Sequence, residues 1–232
     1  MTLNFSDLAQ QVRSGQPLSS SDFYDLLTAS PAATFALADL AAEIRTAHFG
    51  SYLTAGNLPG AEEGSGPATF LDLSTYDPQK LADQLAHLAT DPAAEPGQLG
   101  ILWGPEAQWT PMEALRVLLT LRLALPQQSL HLGAEREKIF RSLQPLALRV
   151  IDSLELAYQP AEPQLIFEDL KLIVGAGLTL AGAENRNLVE EYVQALTDAG
   201  VQGAPALAQS LLGPEGQTGG CGGSCACGSG GC

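Results

Sequence analysis

Cysteine is missing from the first 220 residues of this 232-residue chain. The body of the protein therefore works without a thiol nucleophile, a disulfide or a thiolate ligand of its own. Cations are scarce as well: 11 Lys and Arg stand against 26 Asp and Glu, for a net charge of −15. Holding nucleic acid phosphates or an anionic membrane surface takes clustered Lys and Arg, so neither partner is expected. No apolar run suits a bilayer, since the richest, Leu115 to Leu125, is short and is broken by Arg116 and Arg122. Met1 to Asp7 lacks the basic start and apolar stretch of a secretory signal, which makes the cytoplasm the expected compartment. A Ser-His-Asp arrangement, a phosphate-binding glycine loop and a His-rich metal motif are also missing.

What is present supports a core: 45% of the residues are hydrophobic. Ser19 to Asp22 supplies hydroxyls and a carboxylate suited to capping a helix. Ser30-Pro31 opens a second helix to Phe49, with Leu37, Leu40, Ala41, Ile44 and Ala47 at helical spacing. Glycine and proline then crowd Ala55 to Pro67, a loop signature. Strand and helix patterns alternate beyond it. Thr69 to Ser74 reads as a strand, Asp77-Pro78 as the start of a helix and Leu99 to Trp103 as a buried strand. Thr110-Pro-Met-Glu113 has the form of a capping box and opens a largely buried helix. Ser129 to Leu132 is a strand, and Glu135 to Gln144 a helix that Pro145 ends or kinks. A further strand lies within Leu148 to Leu156, a helix in Leu165 to Val174, and a last helix runs from Glu184 to Ala199.

This order predicts an α/β fold with parallel strands. Four or five strands over about 110 alternating residues are too few for a closed eight-stranded barrel. The expected architecture is a partial (β/α) barrel with N-terminal helices, a short parallel sheet with exposed edges and a disordered Gly/Cys-rich C-terminal tail. Its segments are residues 1–50 (helical), 51–68 (loop), 69–200 (partial barrel) and 201–232 (tail). Exposed sheet edges invite a partner.

The tail reads Cys221-x3-Cys225-x-Cys227-x4-Cys232. Thiolates are soft ligands for zinc, copper(I) or iron-sulfur clusters, and four of them complete one tetrahedral ion or one cluster. The spacing fits no standard zinc or ferredoxin pattern, so the kind of metal stays open. Cys221, Cys225, Cys227 and Cys232 are the expected ligands. An iron-sulfur cluster is the favoured cofactor and zinc the lesser alternative. Thiol redox chemistry is a further reading, as is a precursor peptide whose core, after Gly219-Gly220, is modified at its cysteines.

Other residues carry weaker signals. His131, in a strand, is an additional ligand candidate, although a hydrogen-bonded core role is the plainer reading. His48 is expected on a buried helix face and His87 on a polar one. Asp72 sits in a strand whose facing the alternation does not fix. Trp103 and Trp109 bracket a strand end, as core residues or as the wall of a pocket at the barrel mouth.

Thr110 to Arg116, Arg122-Leu-Ala-Leu-Pro126, Leu130 to Glu137 and Ser142 to Leu148 resemble, in that order, the C-terminal part of the biotin synthase family of radical S-adenosylmethionine enzymes. Glu168 to Leu178 resembles that family's closing helix, and Leu18 to Gly50 its N-terminal helices. The resemblance implies a barrel fold and a structural ion pair at Arg136-Glu137. It places His131 where biotin synthase has an Arg on its second cluster. The departures matter more. The family's Cys-x-x-x-Cys-x-x-Cys loop is expected soon after Gly50, where this chain has Tyr52-Leu-Thr-Ala-Gly-Asn-Leu58. About half a barrel is skipped before residue 69. S-adenosylmethionine binding and radical catalysis are accordingly not expected of the body. The expected function is an accessory role, with the tail binding or delivering a cluster, metal or sulfur to a complete radical enzyme or to a second copy of the chain. An enzyme that uses a tail-bound cluster is the remaining alternative.

Overall fold

The computed structural model describes residues 5–56, 69–90, 97–104, 109–133, 135–156 and 163–212. Three helices come first: α1 (Phe5–Arg13), α2 (Ser20–Leu27) and α3 (Pro31–Phe49). α2 starts because Ser19 and Asp22 close a capping box: the Asp22 amide donates to Ser19 Oγ and the Ser19 amide to Asp22 Oδ2. Ser30 caps α3 with Pro31 at its first position, and Gly50, at φ +63°, ends it. α1 was not foreseen, although Phe5, Leu8, Ala9 and Val12 fall at helical spacing.

Six strands follow: β1 (Tyr52–Gly56), β2 (Thr69–Asp72), β3 (Gln98–Leu102), β4 (Ser129–Leu132), β5 (Ser153–Glu155) and β6 (Thr179–Leu180). Between them run α4 (Pro78–Thr90), α5 (Pro111–Ala124), α6 (Arg136–Phe140), a 3₁₀ turn (Arg141–Leu143), α7 (Gln144–Leu148) and α8 (Pro163–Gly175). The sheet is parallel in every pairing, with order β2-β3-β4-β5-β1-β6. This is an α/β fold compatible with a partial (β/α) barrel. β2 to β5 sit side by side in chain order, each joined to the next through helix, as in successive barrel units. β1 lies between β5 and β6, and β2 and β6 are the two edges.

Three expectations need correction. Tyr52–Gly56 is a strand rather than the start of the loop 51–68: it pairs with both β5 and β6, a long-range gain that local glycine content does not register. In place of one helix over Glu135 to Gln144, residues 136–148 form two short helices joined by a 3₁₀ turn, and Pro145 stands in the first turn of α7. The expected tail begins with an ordered helix, α10 (Ala204–Leu212).

The chain divides into two compact units, Met1–Arg186 and Asn187–Cys232, so the barrel unit ends before residue 200. The second holds α9 (Leu188–Asp198), capped by Asn187, which packs with α10.

In the first unit, one sheet face is aliphatic. Cross-strand partners Leu71 and Ile101, Leu99 and Leu130, Leu132 and Leu154, and Leu53 and Leu180 are all buried. Trp103, one step beyond β3 on this face, meets Phe140 of α6 edge to face at 5.3 Å. α5, buried over most of its surface, is the central helix of the layer that covers it.

The strand starts are tied by a buried charge cluster. Asp152, just ahead of β5, accepts from Arg45 Nε of α3 at 3.2 Å, from Arg122 Nη2 of α5, and from the Leu130 amide of β4 at 3.0 Å. Its own carbonyl accepts from the Thr54 amide of β1 at 2.8 Å. Arg122 also donates to the Val150, Gln128 and Pro126 carbonyls and covers the Phe49 ring, while Arg45 donates to the Ile151, Gly50 and Tyr52 carbonyls. Both guanidinium groups are fully buried. Charge at the N-terminal face of barrel strands serves stability rather than chemistry.

Candidate functional site

The other sheet face carries the polar chemistry. The register aligns Phe70, Gly100, His131, Ser153 and Thr54 in one row across five strands. One step toward the strand C-termini lie Asp72 opposite Leu102, and Glu155 opposite Gly56. The row is buried at His131 and Ser153, whereas Phe70 is 52% and Leu102 44% exposed.

His131 Nδ1 is 2.9 Å from Ser153 Oγ. Burial pushes the imidazole below its usual pKa, and the Glu155 charge opposes this more weakly. The ring is therefore neutral near pH 7, the form that ligates metals or moves protons. Asp72 points to this same face and accepts the Ser74 amide at 2.8 Å, which lowers its carboxyl pKa. Among the described residues no three His, Cys, Asp or Glu come together as a metal site. The donors in place thus do not fit a cluster on their own, and His131 is a single imidazole.

At the C-terminal mouth of β2 and β3 lies a cavity of about 1080 Å³. Asp72 and Ser74 form one side, Leu102, Trp103 and Gly104 the floor, Trp109, Thr110 and Pro111 a second side, and α6 with its C-cap a third through Glu135, Lys138, Ile139 and Arg141. The Thr110–Glu113 capping box fixes the second side. Trp109 Nε1 donates to the Trp103 carbonyl at 2.8 Å, and the two indoles meet edge to face at 5.2 Å. Gly104 makes the floor possible: at φ +73°, a Cβ there would lie 2.5 Å from Ser74 Cα.

Cys221, Cys225, Cys227 and Cys232 lie outside the described residues. His131 makes the hydrogen bond of a core histidine on the polar face. Trp103 and Trp109 combine core packing with a pocket wall. Arg136 makes a buried ion pair, with Asp169 of α8 rather than with Glu137. His87 is exposed as expected, whereas His48 is exposed and not buried, because α3 leaves the protein's covered side in its last turn. Ser153, Glu155, Lys138 and Arg141 were not anticipated. Sequence carries no signal for Ser153, whose partner lies 22 residues away. Arg122 inside Leu-Leu-Thr-Leu-Arg-Leu-Ala is a signal that could have pointed to a buried charge in need of a carboxylate.

No protein-family model matches the chain. Part of it is 40% identical over 77 residues to biotin synthase of Kocuria rhizophila, covering 33% of this chain and 16% of that enzyme. It is 39% identical over 80 residues to biotin synthase 2 of Frankia casuarinae, covering 34% and 22%. It is 35% identical over 87 residues to biotin synthase of Streptomyces avermitilis, covering 37% and 22%. About a third of this chain is thus related to biotin synthase, and the match spans about a fifth of the length of those curated relatives.

Proposed function

We propose that this biotin synthase-related chain is an accessory protein that leaves radical chemistry to another enzyme. In this reading Cys221, Cys225, Cys227 and Cys232 hold an iron-sulfur cluster, or less favourably zinc or sulfur, as cargo. The cargo passes to a complete radical S-adenosylmethionine enzyme or to a second copy of the chain, in the cytoplasm. The observation that carries the reading is the gathering of every thiol of the chain into twelve glycine-rich residues. Four soft donors at that density suit one cluster or one tetrahedral ion. His131, neutral and oriented by Ser153, is the one imidazole on the polar sheet face able to add a donor. β2 and β6, the edge strands among the described residues, support a role in association, because an open edge is a template for pairing. Among the described residues no helix is long and apolar enough to cross a membrane.

The test is iron, zinc and acid-labile sulfide content of the anaerobically purified full chain. It is run beside a variant with all four cysteines changed to serine, with intact masses of both. Iron with matching sulfide, lost in the variant, is expected. Wild-type protein that stays metal-free with unmodified thiols after reconstitution refutes the carrier role. Gly219-Gly220 favours one second reading, a precursor with a modified core; cleavage after Gly220 and loss of water at the cysteines in the same spectra identify it.

A further inference from the structure

The chain's 11 cationic side chains are mostly spoken for. Arg13, Arg45, Arg122, Arg136, Arg149 and Lys171 each pair with a carboxylate, Arg116 donates to the Ala29 carbonyl, and Arg186 is engaged as well. Among the described residues Lys138 and Arg141, like the exposed Lys80 of α4, have no such partner, although the protein carries 26 carboxylates. Lys138 and Arg141 stand three residues apart and both line the mouth cavity. Two carboxylates, Asp72 and Glu135, line the same cavity and pair with neither cation among the described residues. Asp72 accepts the Ser74 amide, and Glu135 folds against Gly133, where a Cβ would lie 2.5 Å from Oε2.

A second observation is independent of charge. Arg141 holds φ +48° and ψ −122°, a conformation that glycine enters freely and a long side chain does not. A costly backbone at the rim carries a guanidinium where glycine would relieve the strain. A third concerns the wall. Trp103 is buried, yet its Nε1–H has no acceptor among the described residues. Leu102, Trp109 and Ile139 make the rest of that wall apolar, and the volume is that of a small-molecule site.

We infer that this cavity binds an organic anion with an apolar body, its charged group held between Lys138 and Arg141 and its body laid on Trp109, Leu102 and Ile139. Its lining residues all belong to the unit Met1–Arg186, and it does not depend on the carrier role.

Both tryptophans of the chain line the cavity, so intrinsic fluorescence reads its occupancy. The full chain is titrated with octanoate, and with octanol and octylamine as neutral and cationic counterparts. Octanoate is expected to change the tryptophan emission saturably, with the counterparts at least roughly tenfold weaker. Lys138→Gln with Arg141→Gln should weaken octanoate by at least roughly tenfold, while Lys80→Gln, away from the cavity, leaves it unchanged. Arg141→Gly keeps the fold in place: it should raise the urea midpoint and still weaken octanoate. The inference is overturned if octanoate leaves the emission unaltered, if octanol binds as tightly, or if the double variant keeps wild-type affinity.

Discussion

Replacing Asp152 by alanine leaves two buried guanidinium groups facing each other without their shared anion. Burial is the largest influence on all three groups: it lowers the pKa of Arg45 and Arg122 and raises that of Asp152, against their mutual attraction. Each charge is thus held in place by the others rather than by solvent. Removing one partner of a buried pair costs about 3–5 kcal/mol. The backbone carbonyls around both arginines soften the loss, whereas the Leu130 amide, left without its acceptor, adds about 1–3 kcal/mol. The sum is about 4–6 kcal/mol, a large fraction of the roughly 5–15 kcal/mol that holds a domain together. Urea unfolding read by tryptophan emission reports on this unit, because both indoles lie within it. With a slope of about 2–3 kcal/mol/M, the midpoint should fall by about 2 M. Asp152→Asn, which keeps an accepting oxygen, should fall in between. An alanine variant within about 1 kcal/mol of wild type would refute the argument that this cluster ties the strand starts together.

Two further outcomes follow from geometry and titration. Gly104→Ala should cost about 2–4 kcal/mol, from the positive φ and the clash with Ser74, whereas Gly177→Ala, at φ +75° with open space around it, should lose only the conformational part of about 1–2 kcal/mol. Equal urea midpoints for the two variants would show that the β2–β3 approach is not tight. His131 titrates below its unfolded value near 6.5, so its contribution is fully present above that pH and is lost as pH falls through the depressed native value. Wild type should therefore lose more stability between about pH 7.5 and 5.5 than His131→Gln does, and identical slopes would rule out the buried neutral imidazole.

Local chemistry made much of this fold readable. Thr110 and Glu113 announce α5 because a capping box satisfies amides within four residues, and Leu99 and Ile101 of β3 and Leu130 and Leu132 of β4 mark strands as short buried apolar runs. What stayed hidden depends on distant partners. Tyr52-Leu-Thr-Ala-Gly56 is a strand only because Ser153 and Thr179 lie to either side of it. Arg45 looks like a solvent-facing helix residue until Asp152 is brought to it from 107 positions away. His48 follows the apolar line of α3 by spacing, but the helix outruns the surface that would cover it. The mouth cavity needed both the Gly104–Ser74 approach and the turn at Arg141, neither of which has a periodic signature.

The place of β1 in the sheet has a consequence for biosynthesis. Its residues emerge early, yet both of its neighbours are made last: Thr54 waits for Ser153, and Leu53 for Leu180. At a ribosomal pace of about 5–20 residues per second, the interval is on the order of ten seconds. During it, a strand with two unsatisfied edges is held only by the helix before it, while β2 to β5 can assemble in sequence behind it. Closure of the sheet is therefore a late event, and the growing chain is most open to pairing with a neighbour, or to chaperone capture, just before β5 leaves the ribosome.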